Sequence, residues 1–168
     1  MIAAEKNQII KRIRVEKCKL VGLDGSPGAG KKTFARSLAN IFSGNLIQFD
    51  KYLSNVSAGK YYDILNLDEL KIDIENGLKS QNIIFVVGIC LQEILGKINV
   101  VPDLIIYVRN KHLKFWTNMD IDKTKLDVII NTIEMNSNKV EREDLESTNA
   151  KYHHYFSPVT RSDLVYEW

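Results

Sequence analysis

An apolar segment, CKLVGLDG (18–25), and an amphipathic one, TFARSLANIF (33–42), flank the run Gly25-Ser26-Pro27-Gly28-Ala29-Gly30-Lys31-Lys32. No other stretch constrains the fold as strongly. Its first seven positions match G-x-x-x-x-G-K-[ST]. Glycines at these places let successive backbone N–H groups turn inward and form an anion cradle. A helix starting at the end of the loop brings the positive end of its dipole to the same point. The arrangement needs a strand to deliver the loop and a helix to leave it, and the flanking segments supply both patterns. Phe34, Leu38 and Ile41 recur at helical spacing, and Gly44 stands where that helix would stop. The expectation is that Gly25, Ser26, Gly28, Ala29, Gly30, Lys31, Lys32 and Thr33 surround bound phosphate. Lys31 would reach the β- and γ-phosphates of a nucleotide.

The remaining chain alternates in the same manner. LIQF (46–49), NIIFVVG (82–88), DLIIYV (103–108) and DLVYEW (163–168) read as strands, the third fixed at its start by Pro102. Between them, 67–80 places Leu67, Leu70, Ile74 and Leu78 at helical spacing, with Asp68 and Glu69 suited to a first turn. CLQEILGK reads as a short helix, 51–66 as a loop, and 110–155 as mostly polar and helical, with Trp116, Leu126, Ile129, Ile130 and Ile133 as core candidates. Strands apolar on both faces, alternating with helices, predict an α/β fold: a parallel sheet of about five strands with helices on each side. In such sheets ligands bind outside the carboxyl ends of the strands. The glycine-rich loop and Asp50 both fall there.

Composition narrows the rest. With 168 residues, 45% hydrophobic and 26% charged, the chain suits one domain over 1–168 and excludes a disordered or fibrous protein. The balance of 23 Lys+Arg against 21 Asp+Glu, net +2, implies no polyanion partner. Residues 1–17 form an N-terminal segment whose stretch 3–17 reads as a short basic helix. Its charges are those of a solvated face, so nucleic acid is not an expected partner. The longest apolar run, IIFVVGICL (83–91), is far short of the ~20 residues of a membrane span, and no signal peptide opens the chain. Cys18 and Cys90 sit in apolar stretches and read as buried free thiols of a cytoplasmic protein. His153-His154 would face different directions on a helix, and His112 is isolated, so no metal site emerges from the histidines.

The eighth position of the loop breaks the pattern. A Ser or Thr hydroxyl there ligates Mg²⁺, and this chain has Lys32. Thr33 is one helical step further, rotated by ~100°, and does not simply take over. An ammonium at this place attracts phosphate and repels a dication.

VGLDGSPGAGKKTFARSLA resembles the opening of the P-loop nucleoside kinases, those of the uridine kinase type in particular. LIQFDKY resembles that family's second strand with its Asp-x-[FY] segment. IIFVVGICL takes the place of its hydrophobic strand ending Glu-Gly, DLIIYV that of the strand before the lid, and YHHYFSPVTRSDLV that of the C-terminal Tyr…Pro…Ala-Asp-Leu segment. The likeness runs from about Lys19 to the end, in order. It implies ATP or another nucleoside triphosphate as cofactor, a small-molecule hydroxyl acceptor, and a catalytic pair in Lys31 and Asp50. In that family the carboxylate matched by Asp50 acts as general base on the acceptor or helps hold the metal. A carboxylate at the end of a strand beside the loop suits that task; the plainer reading is a loop carboxylate capping a turn. Tyr52 matches the family's aromatic, and Tyr61 and Tyr62 are candidates for stacking on a base or for packing.

Three departures stand against this. The third strand ends Val87-Gly88, without the acidic residue. The lid region offers Arg109 and then Lys111, Lys114, Lys123 and Lys125 before Arg142, and lysine does not clamp phosphate bidentately. Lys32 opposes the Mg²⁺ that the resemblance would bring. The leading expectation is ATP-dependent phosphoryl transfer to a small hydroxyl acceptor, most simply a nucleoside. The alternative is a nucleotide-binding module that has lost turnover.

Overall fold

A computed structural model describes residues 3–54, 61, 64–114, 117–135 and 140–168, apart from the side chains of 134, 135 and 140–144. Tyr62, Trp116 and the side chain of Arg142, all singled out from the sequence, lie outside the described residues.

The chain forms, in order, α1 (Lys6–Val15), β1 (Leu20–Asp24), α2 (Lys31–Phe42), β2 (Asn45–Gln48), a 3₁₀ turn (Phe49–Tyr52), α3 (Leu67–Leu78) and β3 (Ile84–Val87). It continues with α4 (Leu91–Lys97), β4 (Leu104–Arg109), α5 (Lys123–Met135), α6 (Val140–Tyr155), α7 (Pro158–Arg161) and β5 (Leu164–Glu167). The five strands make one parallel sheet in the order β2-β3-β1-β4-β5. From β1 the chain first builds toward one edge, through β2 and β3, and then crosses to the other side for β4 and β5. The crevice at that reversal opens at the carboxyl end of β1, where the glycine loop lies.

Alternation along each strand feeds two cores. Val21, Leu23, Phe85, Val87, Ile106 and Val108 face α1 and α2, where Ile9, Ile13, Phe34 and Leu38 cover them. Leu20, Ile84 and Val86 face the other way, against Leu70 and Ile74 of α3, Leu91 and Ile94 of α4, and Tyr152 of α6. Burial on both faces is why the strands read as continuous apolar runs. Cys18 and Cys90 are buried and form no disulfide.

Two expected core residues are exposed, Ile41 by 41% and Leu78 by 40%. On α2 the inward stripe runs Phe34, Ala35, Leu38, Ala39 and on to Phe42, which leaves Ile41 to one side. On α3 the stripe passes from Leu70 and Ile74 to Gly77, where a methyl group would lie 2.6 Å from Ile84, so Leu78 turns outward. The short helix α7 lies outside the segments whose spacing predicts a helix. Among the described residues no helix is long and apolar enough to cross a membrane.

Candidate active site

The loop between β1 and α2 is shaped by its neighbours. Gly25 has φ 141°, and a Cβ there would collide with the Val108 carbonyl of β4. Gly30, the N-cap of α2, has φ 82°, and a Cβ there would lie 2.5–2.8 Å from the indole of Trp168. Both positions therefore require glycine on two grounds, backbone conformation and contact. Helix geometry leaves the first-turn amides of α2 without intrahelical acceptors, facing the crevice end of the sheet.

Lys31 folds back onto the loop. Its ammonium donates to the carbonyls of Gly25 (2.5 Å) and Ser26 (2.8 Å). The residue is buried, and desolvation lowers its pKa from the usual lysine value to about 8, against the opposing pull of Asp24. An anion entering the cradle would restore the charge that burial disfavours.

Beneath the loop lies a polar network that sequence reading missed. Asp24 is fully buried and accepts from the amides of Gly25 (2.8 Å) and Leu91 (3.4 Å), from Gln92 Nε2 (3.2 Å) and from the Tyr152 hydroxyl. Burial and then the Asp24 charge push the Tyr152 phenol far above its ordinary pKa, so it stays a donor. The Ser26 hydroxyl donates to the Thr117 carbonyl and accepts from Asn149 Nδ2 (3.2 Å). His153 Nδ1 stands 2.7 Å from the Asn149 carbonyl, which can only accept; Nε2, 2.6 Å from the Tyr107 hydroxyl, is then the acceptor. Desolvation lowers the His153 pKa and favours this neutral form. Helix α6 is thus bonded to both ends of the Asp24–Ser26 segment, and the loop rests on a fixed base.

Above the loop is a cavity of about 550 Å³ lined by Pro27 to Thr33, Asp50, Leu53, Tyr61, Val87, Gly88, Ile89 and Leu145. Asp50 sits in the 3₁₀ turn that follows β2, as the parallel order of β2 and β3 demands, and its Oδ2 is ion-paired with the Lys32 ammonium. Tyr61 is buried at the cavity wall. Tyr52 is buried instead against α3, its hydroxyl donating to Asp73 (2.6 Å), and is a packing residue. Gly88 admits the ring of Phe49 where a Cβ would clash. Among the described residues, Lys31 and Lys32 are the cations that line the cavity. Arg109 lies away from it, 2.7 Å from Glu167 on β5.

These residues suit the phosphates of a nucleotide and do not suit Mg²⁺. The position that would offer a hydroxyl carries an ammonium, the nearby carboxylate is already paired to that ammonium, and the third-strand position is the apolar Val87. The amides and lysines supply positive charge without a metal.

Neither a known family model nor a curated protein sequence matches the chain. Among solved structures it is similar to a possible uridine kinase from Bacillus stearothermophilus, with 13% identity, 95% of this chain and 96% of that chain covered, and a TM-score of 0.59. A shikimate kinase from Bacteroides thetaiotaomicron matches with 14% identity over 89% of this chain and 86% of its own, at a TM-score of 0.42. At such identity the first likeness is one of fold, and the chain has the five-stranded α/β fold of a P-loop kinase.

Proposed function

We propose that this protein binds a nucleoside triphosphate, ATP or another, and transfers its γ-phosphoryl group to a hydroxyl of a small acceptor, of which a nucleoside is the leading choice. One observation carries the reading: the phosphate loop and Asp50 line the same cavity, whose volume of about 550 Å³ accommodates a small organic acceptor. The loop amides and Lys31 hold the β- and γ-phosphates. The acceptor oxygen attacks the γ-phosphorus, the bond from that phosphorus to the β–γ bridging oxygen breaks, and Asp50 takes the acceptor's proton. The likeness in fold to a possible uridine kinase supports this reading, as does the order in which segments resembling the nucleoside kinases follow one another in the sequence. Asp50 must leave Lys32 for its task, and a phosphate arriving at the loop provides the ammonium with another partner.

A second reading is favoured by that same ion pair together with Val87: the protein holds nucleotide without turning it over. Incubation with ATP, Mg²⁺ and a panel of nucleosides separates the two. ADP formed only in the presence of one acceptor supports transfer. Calorimetric ATP binding with no ADP supports the binding module, and absence of binding removes both.

A further inference from the structure

Trp168 is not among the residues that line the cavity with Asp50, and its indole lies against Gly30. Its backbone continues the ladder between the ends of β4 and β5: its N–H donates to the Arg109 carbonyl (3.2 Å), and its own carbonyl accepts from the Lys111 amide (3.3 Å). The indole Nε1–H donates to the Ala29 carbonyl in the phosphate loop (2.7 Å). An indole N–H lies in the plane of its ring. A ring held through that atom turns an edge to the loop, and the edge atoms Nε1, Cε2 and Cζ2 are those packed on Gly30. The ring faces are not consumed by this contact, and the residue remains 50% exposed. A large, half-exposed aromatic is thus held by three hydrogen bonds beside the proposed anion cradle. Rigid placement before binding is what makes such a surface useful, because little freedom is then lost on contact.

We infer that Trp168 is a stacking platform for the base of the nucleotide whose phosphates occupy the loop. This rests on the phosphate-binding role proposed above and adds to it where the base lies: beside the loop at the end of β5. Stacking is tolerant of base identity, since every base has a π face, and purines present the larger one. The site then favours purine over pyrimidine nucleotides modestly and rejects none.

The test titrates ATP, CTP and inorganic tripolyphosphate into the unaltered protein, Trp168→Ala and Trp168→Phe, with melting curves to check folding. The expected result is an about 10-fold loss of ATP affinity in Trp168→Ala, a smaller loss in Trp168→Phe, and no loss of tripolyphosphate affinity in either. ATP, and not tripolyphosphate, should quench the tryptophan fluorescence of the unaltered protein, and the quench should vanish in Trp168→Phe. Unchanged ATP affinity in Trp168→Ala overturns the inference and leaves the loop's role intact. Tighter binding of both ligands in Trp168→Ala also overturns it, for the indole would then be a cover on the loop. If the unaltered protein binds neither ATP nor tripolyphosphate, the loop's phosphate role falls, and the platform with it.

Discussion

The Lys32 ammonium is ion-paired with the Asp50 carboxylate across the cavity, joining the start of α2 to the turn after β2. Both side chains are about half exposed, 51% and 48%, so the pair contributes little to stability, about 0–1 kcal/mol before salt screening. Its consequence is chemical. On the proposed reading, the ammonium at the loop's eighth position is bonded to the carboxylate proposed as the base, and each must leave the other to act.

ATP affinity in the unaltered protein should therefore depend little on Mg²⁺, because Lys32 already supplies positive charge near the β-phosphate. Lys32→Thr rebuilds the hydroxyl at the spacing Mg²⁺ requires and releases Asp50. Mg²⁺-dependent binding should then appear, while Val87 keeps turnover low. Calorimetric titrations of ATP with Mg²⁺ and with a chelator measure both proteins. Strong Mg²⁺ dependence before the substitution would show that Asp50 or Thr33 already holds the metal.

Asp50→Asn separates chemistry from binding. If the protein transfers phosphoryl groups, kcat should fall by on the order of 10²–10⁴ through loss of the base. ATP binding should persist or tighten, since Lys32 loses its carboxylate partner. Equal turnover in the variant would remove Asp50 from the reaction.

The sequence exposes what depends on neighbours in the chain. The loop, its strand and its helix are contiguous, and so the strand–loop–helix unit and the Ile9/Ile13 and Leu70/Ile74 stripes are legible from local spacing. What it hides depends on partners far along the chain. Asp24 is only the polar end of the apolar segment 18–25 in the sequence, because the groups that justify a buried carboxylate, Gln92 and the Tyr152 hydroxyl, arrive from α4 and α6. Trp168 reads as the end of a strand, and only the β1-β4-β5 order brings its indole to Gly30. The pairing of Lys32 with Asp50 required the turn after β2 to lie across from α2, a matter of sheet order that local spacing does not encode.

Tyr152→Phe should expose the cost of the buried base beneath the loop. Asp24 keeps its other donors but loses its phenol hydrogen bond, and hydrogen bonds to charged groups contribute ~1.5–3 kcal/mol. Urea unfolding should show a loss in that range with an unchanged m-value. Phosphate affinity should also fall, since Asp24 holds the Gly25 amide at the entry to the loop. A variant as stable as the parent would mean that the Asp24 carboxylate is satisfied by Gln92 and the amides alone.

The pH dependence follows from Lys31. Burial lowers its pKa to about 8 in the free protein, below the unfolded lysine value of 10.5. Between these two values the unfolded chain binds more protons than the folded one. This group's contribution to stability therefore rises with pH across that window. Anion binding runs the other way. A phosphate beside Nζ favours the charged form and raises the pKa again, so binding near pH 8–9 must take up protons. Tripolyphosphate affinity should lose the Lys31 contribution as pH rises past about 8. Calorimetry at about pH 8.5 in buffers of different ionisation enthalpy should register uptake of most of one proton, given a free-state pKa near 8. Lys31→Met should abolish that uptake and weaken binding at every pH. Binding heats that do not vary with the buffer would mean that Lys31 is charged in the free protein at this pH, its burial offset by Asp24 and the loop carbonyls it caps.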